Sequence, residues 1–409
     1  MLMHGKERNV KKILLLGGSR YILPVIDAAH QLGCYVITCD YLPENIAHKY
    51  SDEYRNVSII EKDAVLDLAK ELKIDGIMSF ACDPGVVTAA YVAEKLGLPS
   101  CGSYESVSIL QNKTRFRKFL TDNGFNVPMA KGYTDIQSAL NDIELFRWPV
   151  IVKPTDSAGS KGVTRVNNPD ELESSIENAI SFSHCNEFIV EEFIEKQGNS
   201  SDTDCFSVNG ELVFCSFSDQ HFDENAENPY VPAAFSWPST MPLQARQELR
   251  SELQRLITLL GLKTSIYNIE TRQGTDGKPY IMEVSPRGGG NRLAEVLRMA
   301  TGVDLITNAV RAAVGMPVEG IDGDPVYSGS WAEVILHADK DGEFKELWIA
   351  PEIANTVIER DLWVKTGDKV HGFSGANEAI GTLVLRFPNQ EQLEKHMNKI
   401  GKYVCVVTE

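Results

Sequence analysis

The residues best equipped for chemistry lie in "SIYNIETRQGTDGKPYIMEVSPRGGGNR", residues 265–292. A Gly-rich turn, 273–279, joins two strand-like runs, and counting outward from Asp276 sets Glu270 and Glu283 nearly opposite each other. Like charges directly opposed on neighbouring strands destabilise a sheet. A hard divalent cation between them removes the conflict. Mg2+ suits such a pair, with Mn2+ as a chemical neighbour. The plainer alternative is two solvated glutamates on an exposed hairpin. Against it stand the apolar neighbours Ile269, Ile281, Met282 and Val284, which mark core sheet. Ser285 shares the Glu283 face. Arg287 follows, at the head of the turn Gly288–Gly289–Gly290. A guanidinium there is placed for a carboxylate or a transferring phosphoryl group.

A second stretch, "IVKPTDSAGSKGV" (151–163), supplies the complement. An apolar strand delivers Lys153, and a loop of small residues follows: Ser157, Ala158, Gly159, Ser160, Lys161 and Gly162. Glycine and serine let backbone N–H groups approach a ligand closely, and the lysines add positive charge, a combination suited to phosphate. No GxxxxGK[ST] is present, so this is not a Walker A loop. Lys153 and the loop would grip phosphates from one side, and Glu270 and Glu283 would grip Mg2+-phosphate from the other. The strand "FIVEEFI" (188–194) offers backbone for an adenine edge, with Ile151 and Ile281 as candidate walls for the base. Lys113, in "LQNKTRF", adds a cation at a helix start.

These residues need elements to hold them. "KILLL" (12–16) reads as a buried parallel strand, "GGSRYILPVIDAAHQLG" as a glycine turn and helix, and "CYVITCD" as a second strand ending in Asp40. The opening is Rossmann-like, but its turn is GGSRYI rather than GxGxxG, so a βαβ unit that packs without NAD is expected. A helix over "SVSILQNKTRFRKFLTDNGFNVP" follows, then a mixed region. Its strands include a hairpin turning at Asn209-Gly210, and its helices include 169–181 and 243–260. The last stretch has short strands and one helix, 389–400. The fold class expected is α/β and α+β multidomain, with domains at 1–105, 106–320 and 321–409. The segment 218–242, which contains His221, Tyr230 and Trp237, reads either as a substrate-covering loop or as a surface excursion. His371 lies beyond the central region.

Composition bounds the rest. A net charge of −17 disfavours nucleic-acid binding, though not a local basic pocket for a nucleotide. No apolar run reaches the ~18 residues of a membrane span. The eight cysteines and eight histidines form no zinc-like spacing, so reduced thiols and a cytoplasmic location are expected.

Taken in order, "QNKTRFRKFL", "PVIVKPTDSAGSKGV", "FIVEEFIE" and "IETR…GKPYIMEVSPRGGG" resemble the ATP-grasp superfamily, in particular its carboxylate–amine ligases, over residues 10–320. The resemblance implies a Rossmann-like domain ahead of an ATP-grasp fold, with ATP and Mg2+ as cofactors. It implies that Lys113 and Lys153 contact the phosphates and that the 157–162 loop covers them. Glu191, Glu192, Phe193 and Ile194 would be the adenine hinge, Glu270 and Glu283 the metal ligands, and Arg287 the stabiliser of an acyl phosphate, with the 288–290 backbone beside it. Many relatives carry asparagine, a further metal ligand, where Ser285 stands, so the resemblance makes Ser285 a third candidate ligand. The ribose-binding acid is displaced here to Asp202 or Asp204. The implied reaction joins a small carboxylate to an amine, in the manner of amino-acid ligases, and the implied assembly is a homodimer. A purine-pathway ligase or an ATP-binding module without turnover are the alternatives.

Overall fold

In a computed structural model of the chain, residues 10–157, 159–321 and 323–409 are described; Ala158 of the expected phosphate loop lies outside them. The architecture is mixed α/β, as expected, and the described residues form five sheets. The first is all parallel. Lys12–Leu16 pairs with Tyr35–Cys39 on one side and Gly76–Ser79 on the other, with Glu53–Arg55 outermost. Its glycine turn is filled by protein: a Cβ on Gly18 would come 2.5 Å from the His48 ring. The packing reading of the GGSRYI turn therefore has a physical basis.

Two antiparallel sheets form the centre. The lysine-bearing sheet orders Ala130–Tyr133, Phe188–Glu192, Val150–Pro154 and Thr164–Val166 side by side. Val150, Val152, Phe188 and Val190 bury one face of it against the helix Leu172–Ser181. The period of two turns Ile151, Lys153, Ile189 and Glu191 to the other face. The acidic sheet orders Glu211–Cys215, Ser201–Val208, Ser265–Gln273 and Pro279–Ser285. Asn209 and Gly210 turn its first hairpin with φ of 52° and 84°, the left-handed pair a two-residue hairpin favours. The back of this sheet is apolar: Cys205, Tyr267, Ile269, Ile281 and Val284 pack against Leu249, Leu253 and Leu256 of the helix Leu243–Leu259.

The segment 218–242 forms a hairpin, Asp219–Phe222 with Pro232–Trp237. Pro232–Trp237 then pairs with Ser330–Leu336, which pairs with Gly381–Phe387. Strands of the middle region and the C-terminal region thus share one five-stranded sheet. Of the two readings for 218–242, the surface excursion does not describe it: Trp237 is fully buried. No helix among the described residues is long and apolar enough to cross a membrane.

Candidate active site

The acidic sheet puts its oxygen-bearing residues in two cross-strand rows. Asp202, Glu270 and Glu283 are register partners in one row; Asp204, Asn268 and Ser285 are partners in the next. All six share one face, because the strands alternate. The expected opposition of Glu270 and Glu283 is found. A bulge at Met282 lies between the Glu270/Glu283 and Thr271/Ile281 pairs. It explains how Ile281 and Val284 both reach the apolar back while Glu283 faces front. Ile281 therefore does not wall the base, a correction to the sequence expectation; Ile151 does share the Lys153 face.

Charge is concentrated here. Burial, then the neighbouring Glu270, pushes the Asp202 carboxyl up to about 7. Burial pushes Asp204 to about 7 as well, and its Oδ2 is buried with no partner. Burial, reinforced by Glu283, raises Glu270, although a third of its side-chain surface stays exposed; Arg272, 3.6 Å away, offsets this only in part. Asn268 donates to Asp202 at 2.8 Å, and the Gly289 N–H donates to Asp204 at 2.8 Å. Three carboxylates in one row with so little local compensation are a donor set that suits a hard divalent cation.

The cations come from the facing sheet and its neighbours. Lys153 is paired with Glu191, which also accepts from Arg117 Nε at 3.0 Å. Burial alone would raise Glu191, but Arg117 and Lys153 hold it down at about 2. Burial lowers Lys153 despite that pairing. Arg117 also donates to the Met282 carbonyl at 2.8 Å, and Arg272 donates to the Ile194 carbonyl at 3.1 Å, so two guanidinium groups tie the sheets together. Lys113 opens the helix Lys113–Asp122 and reaches the Ser157 carbonyl at 2.7 Å.

The loop between the lysine-bearing strands has left-handed backbone at Gly159, Ser160 and Gly162, with φ of 70°, 58° and 69°. Gly162 packs against the Phe182 ring, Lys161 is exposed, and Ser160 Oγ donates to the Tyr230 carbonyl at 3.3 Å. Successive N–H groups in such conformations form an anion-binding concavity.

Three expectations need correction. Glu191 is not a free hinge: its backbone lies in a central strand paired on both sides, and its side chain closes the buried ion triad. The Glu192 N–H is given to the Met129 carbonyl and the Phe193 N–H to the Pro149 carbonyl, so Ile194 carries what remains of the hinge. Ser285 is almost fully buried; it accepts from Gln111 at 2.8 Å and donates to Asp83 at 2.8 Å, so it orients neighbours rather than a metal. Gly289 spends its N–H on Asp204, leaving only Gly288 and Gly290 for an oxyanion.

Asp83, in the first turn of the helix Asp83–Leu96, grips Arg287 in a two-pronged pair at 2.9 and 2.7 Å. That pairing outweighs burial and lowers Asp83 while raising Arg287. The residues missed from sequence were Asp83, Gln111, Arg117, Asn268 and Arg272. The alternation in "SSDTDCFSV" and the Lys113/Arg117 spacing of four were the available signals. His221 is half-buried on the five-stranded sheet 2.9 Å from Ser236, and desolvation takes it down to about 4. His371 is exposed beside Asp341.

Residues 146–295 match the sequence profile of the ATP-grasp domain. The carbamoyl phosphate synthase large chain of Clostridium beijerinckii is 21% identical over 304 residues, 73% of this chain and 28% of that one, so this chain spans under a third of that relative. The formate-dependent phosphoribosylglycinamide formyltransferase of Bacteroides thetaiotaomicron is 24% identical across 95% of this chain and 97% of its own. Among solved structures, the L-amino acid ligase from Bacillus licheniformis superposes with a TM-score of 0.79 at 20% identity, covering 98% of this chain and 99% of that one. Phosphoribosylglycinamide synthetase from Anaerococcus prevotii gives 0.75 at 19%, covering 98% and 100%. The profile lies over both the lysine loop and the paired glutamates, so residues 146–295 of this chain are an ATP-grasp domain.

Proposed function

We propose that this protein is an ATP-dependent, ADP-forming ligase that activates a small carboxylate as its acyl phosphate and joins it to an amine, such as an amino acid. The observation that carries this is the row Asp202–Glu270–Glu283, with Lys153 near enough for its charge to act on Glu270. Glu270 and Glu283, with Asp202 beside them, would hold Mg2+, which when bound neutralises charge on the transferring phosphoryl group. Lys113, Lys153 and the loop N–H groups hold the phosphates in line. The Ile194 backbone and Ile151 receive the base.

A substrate carboxylate oxygen attacks the γ-phosphorus, and the bond to ADP breaks. The amine nitrogen then attacks the acyl carbon, phosphate leaves with the C–O bond electrons, and the amine loses a proton. Arg287, kept rigid by Asp83, faces the charge that develops on the acyl oxygen. The Tyr230 contact to Ser160 brings the 223–231 connection over the loop, where it helps exclude water from the acyl phosphate. The division at 1–105, 106–320 and 321–409, a cytoplasmic location and a homodimer belong to the same proposal.

The end-to-end match to a phosphoribosylglycinamide formyltransferase favours a second reading, a purine-pathway ligase with a phosphoribosyl amine as acceptor. One assay separates the two. Protein, ATP and Mg2+ are mixed with pooled carboxylates and amines, with and without phosphoribosyl amines, and ADP, AMP and phosphate are followed. Pool-dependent ADP and phosphate that vanish in Glu283→Gln support the ligase, and the pool that drives them names the acceptor. AMP with pyrophosphate excludes the acyl-phosphate route.

A further inference from the structure

Outside the cleft, one group among the described residues joins an imidazole to two carboxylates: the ligand atoms of Asp223, His337 and Asp339 all lie within 4.8 Å of one another. We propose that these three residues bind a divalent transition-metal ion of the Zn2+ class, which fastens the 223–231 connection to the C-terminal sheet. This proposal is independent of the reaction assigned above.

The histidine carries the argument. Its Nδ1 lies 2.7 Å from the Ile335 carbonyl. A carbonyl only accepts, so Nδ1 holds a proton and donates it. In the neutral ring, Nε2 then presents a lone pair to Asp223 Oδ2 at 3.2 Å, two acceptors facing each other. A cation between them resolves the conflict. A backbone carbonyl on the non-ligating nitrogen is also how metal-binding imidazoles are commonly oriented. The ring is fixed further by stacking on Phe373, centroids 4.1 Å apart and planes 19° from parallel.

Asp223 is arranged to match. Its Oδ1 accepts from the Asn225 N–H at 2.9 Å, which leaves Oδ2 turned to His337. Asp339 is exposed and supplies the third oxygen. First-row metal–ligand bonds of about 2 Å place ligand atoms roughly 4 Å apart at most. Closing on an ion therefore takes a small rotation of the one exposed side chain. An imidazole nitrogen favours Zn2+ over Mg2+, unlike the all-oxygen row of the cleft.

The position gives the ion a consequence. Asp223 opens the 223–231 connection; Asn228 within it is bonded to the Phe373 and Ser374 carbonyls, and Tyr230 near its end touches the phosphate loop. An ion at Asp223 therefore sits at the root of the segment that reaches the cleft.

The test is calorimetric titration of Zn2+ into the full chain in excess Mg2+, on a Glu283→Gln background so that the cleft does not compete. Deuterium exchange of 223–231 is read in parallel. One equivalent of Zn2+ is expected, with at least about tenfold weaker binding in both Asp339→Asn and His337→Gln and slower exchange of 223–231 when Zn2+ is bound. Asp339→Asn alters an exposed side chain, so it reports on the site without threatening the fold. No Zn2+ uptake in excess Mg2+ overturns the proposal. Equal uptake by the parent and both variants overturns it too, since the ion then lies elsewhere.

Discussion

Replacing Glu191 with glutamine removes the shared anion of a triad whose three members are nearly dry: Glu191 and Arg117 side chains are 3% and 5% exposed, and Lys153 is 14% exposed. The cost follows from two independent routes. Glu191 titrates at about 2 rather than at its ordinary 4.5, and at about 1.4 kcal/mol per pH unit its charged form stabilises the fold by roughly 3 kcal/mol. Breaking a buried pair while leaving its partner charged costs roughly 3–5 kcal/mol. The two agree. Because the folded pKa lies below the unfolded one, this stability is present above about pH 4.5 and is lost as pH falls toward 2. Urea unfolding of Glu191→Gln at pH 7 should therefore show a loss of about 3–5 kcal/mol, and the gap from the parent should narrow as pH falls below about 4. Adding Arg117→Gln should recover part of the loss, since one stranded cation goes with it. ATP affinity should fall together with stability, because Lys153 loses the partner that aims it. A Glu191→Gln protein within about 1 kcal/mol of the parent at pH 7 would refute the triad as an anchor.

Two further outcomes are expected. Gly288→Ala would drive a Cβ to within 2.2 Å of the Phe80 ring; thermal unfolding should drop by several degrees, with partial rescue by Phe80→Leu, and an unchanged transition would contradict the packing. Asp202, titrating near 7, must lose its proton to join a metal, so Mn2+ affinity read by electron paramagnetic resonance should rise close to tenfold from pH 6 to pH 8. In Asp202→Asn that rise should shrink; an unchanged pH dependence would remove Asp202 from the row.

Much of the cleft was legible in the sequence because it is local. Glu270 and Glu283 are joined by one short turn, so hairpin counting sufficed to oppose them. The loop at 157–162 declares itself by composition, and the strand carrying Lys153 by its apolar alternation. Even the Asn209-Gly210 turn follows from which residues tolerate left-handed backbone. What the sequence by itself determined, then, is the strands that carry Lys153, Glu270 and Glu283, the turns at 209–210 and 273–279, and the chemical type of each grip.

Only the tertiary structure decided which side chains are free to act. Asp202 joins Glu270 from a strand more than sixty residues away, by a register no local pattern encodes. Glu191 turns from hinge to anchor because two strands claim its backbone and Arg117 arrives from a helix to claim its carboxylate. Ser285 looked like a ligand until Gln111 and Asp83 took its hydroxyl. Pro232–Trp237 became a strand because the C-terminal region offers an edge for it to pair with, and Asp219–Phe222 pairs with it in turn. The physical reason is common to all four. A buried polar group must be satisfied by whatever the fold brings to it, and its partner can lie anywhere along the chain.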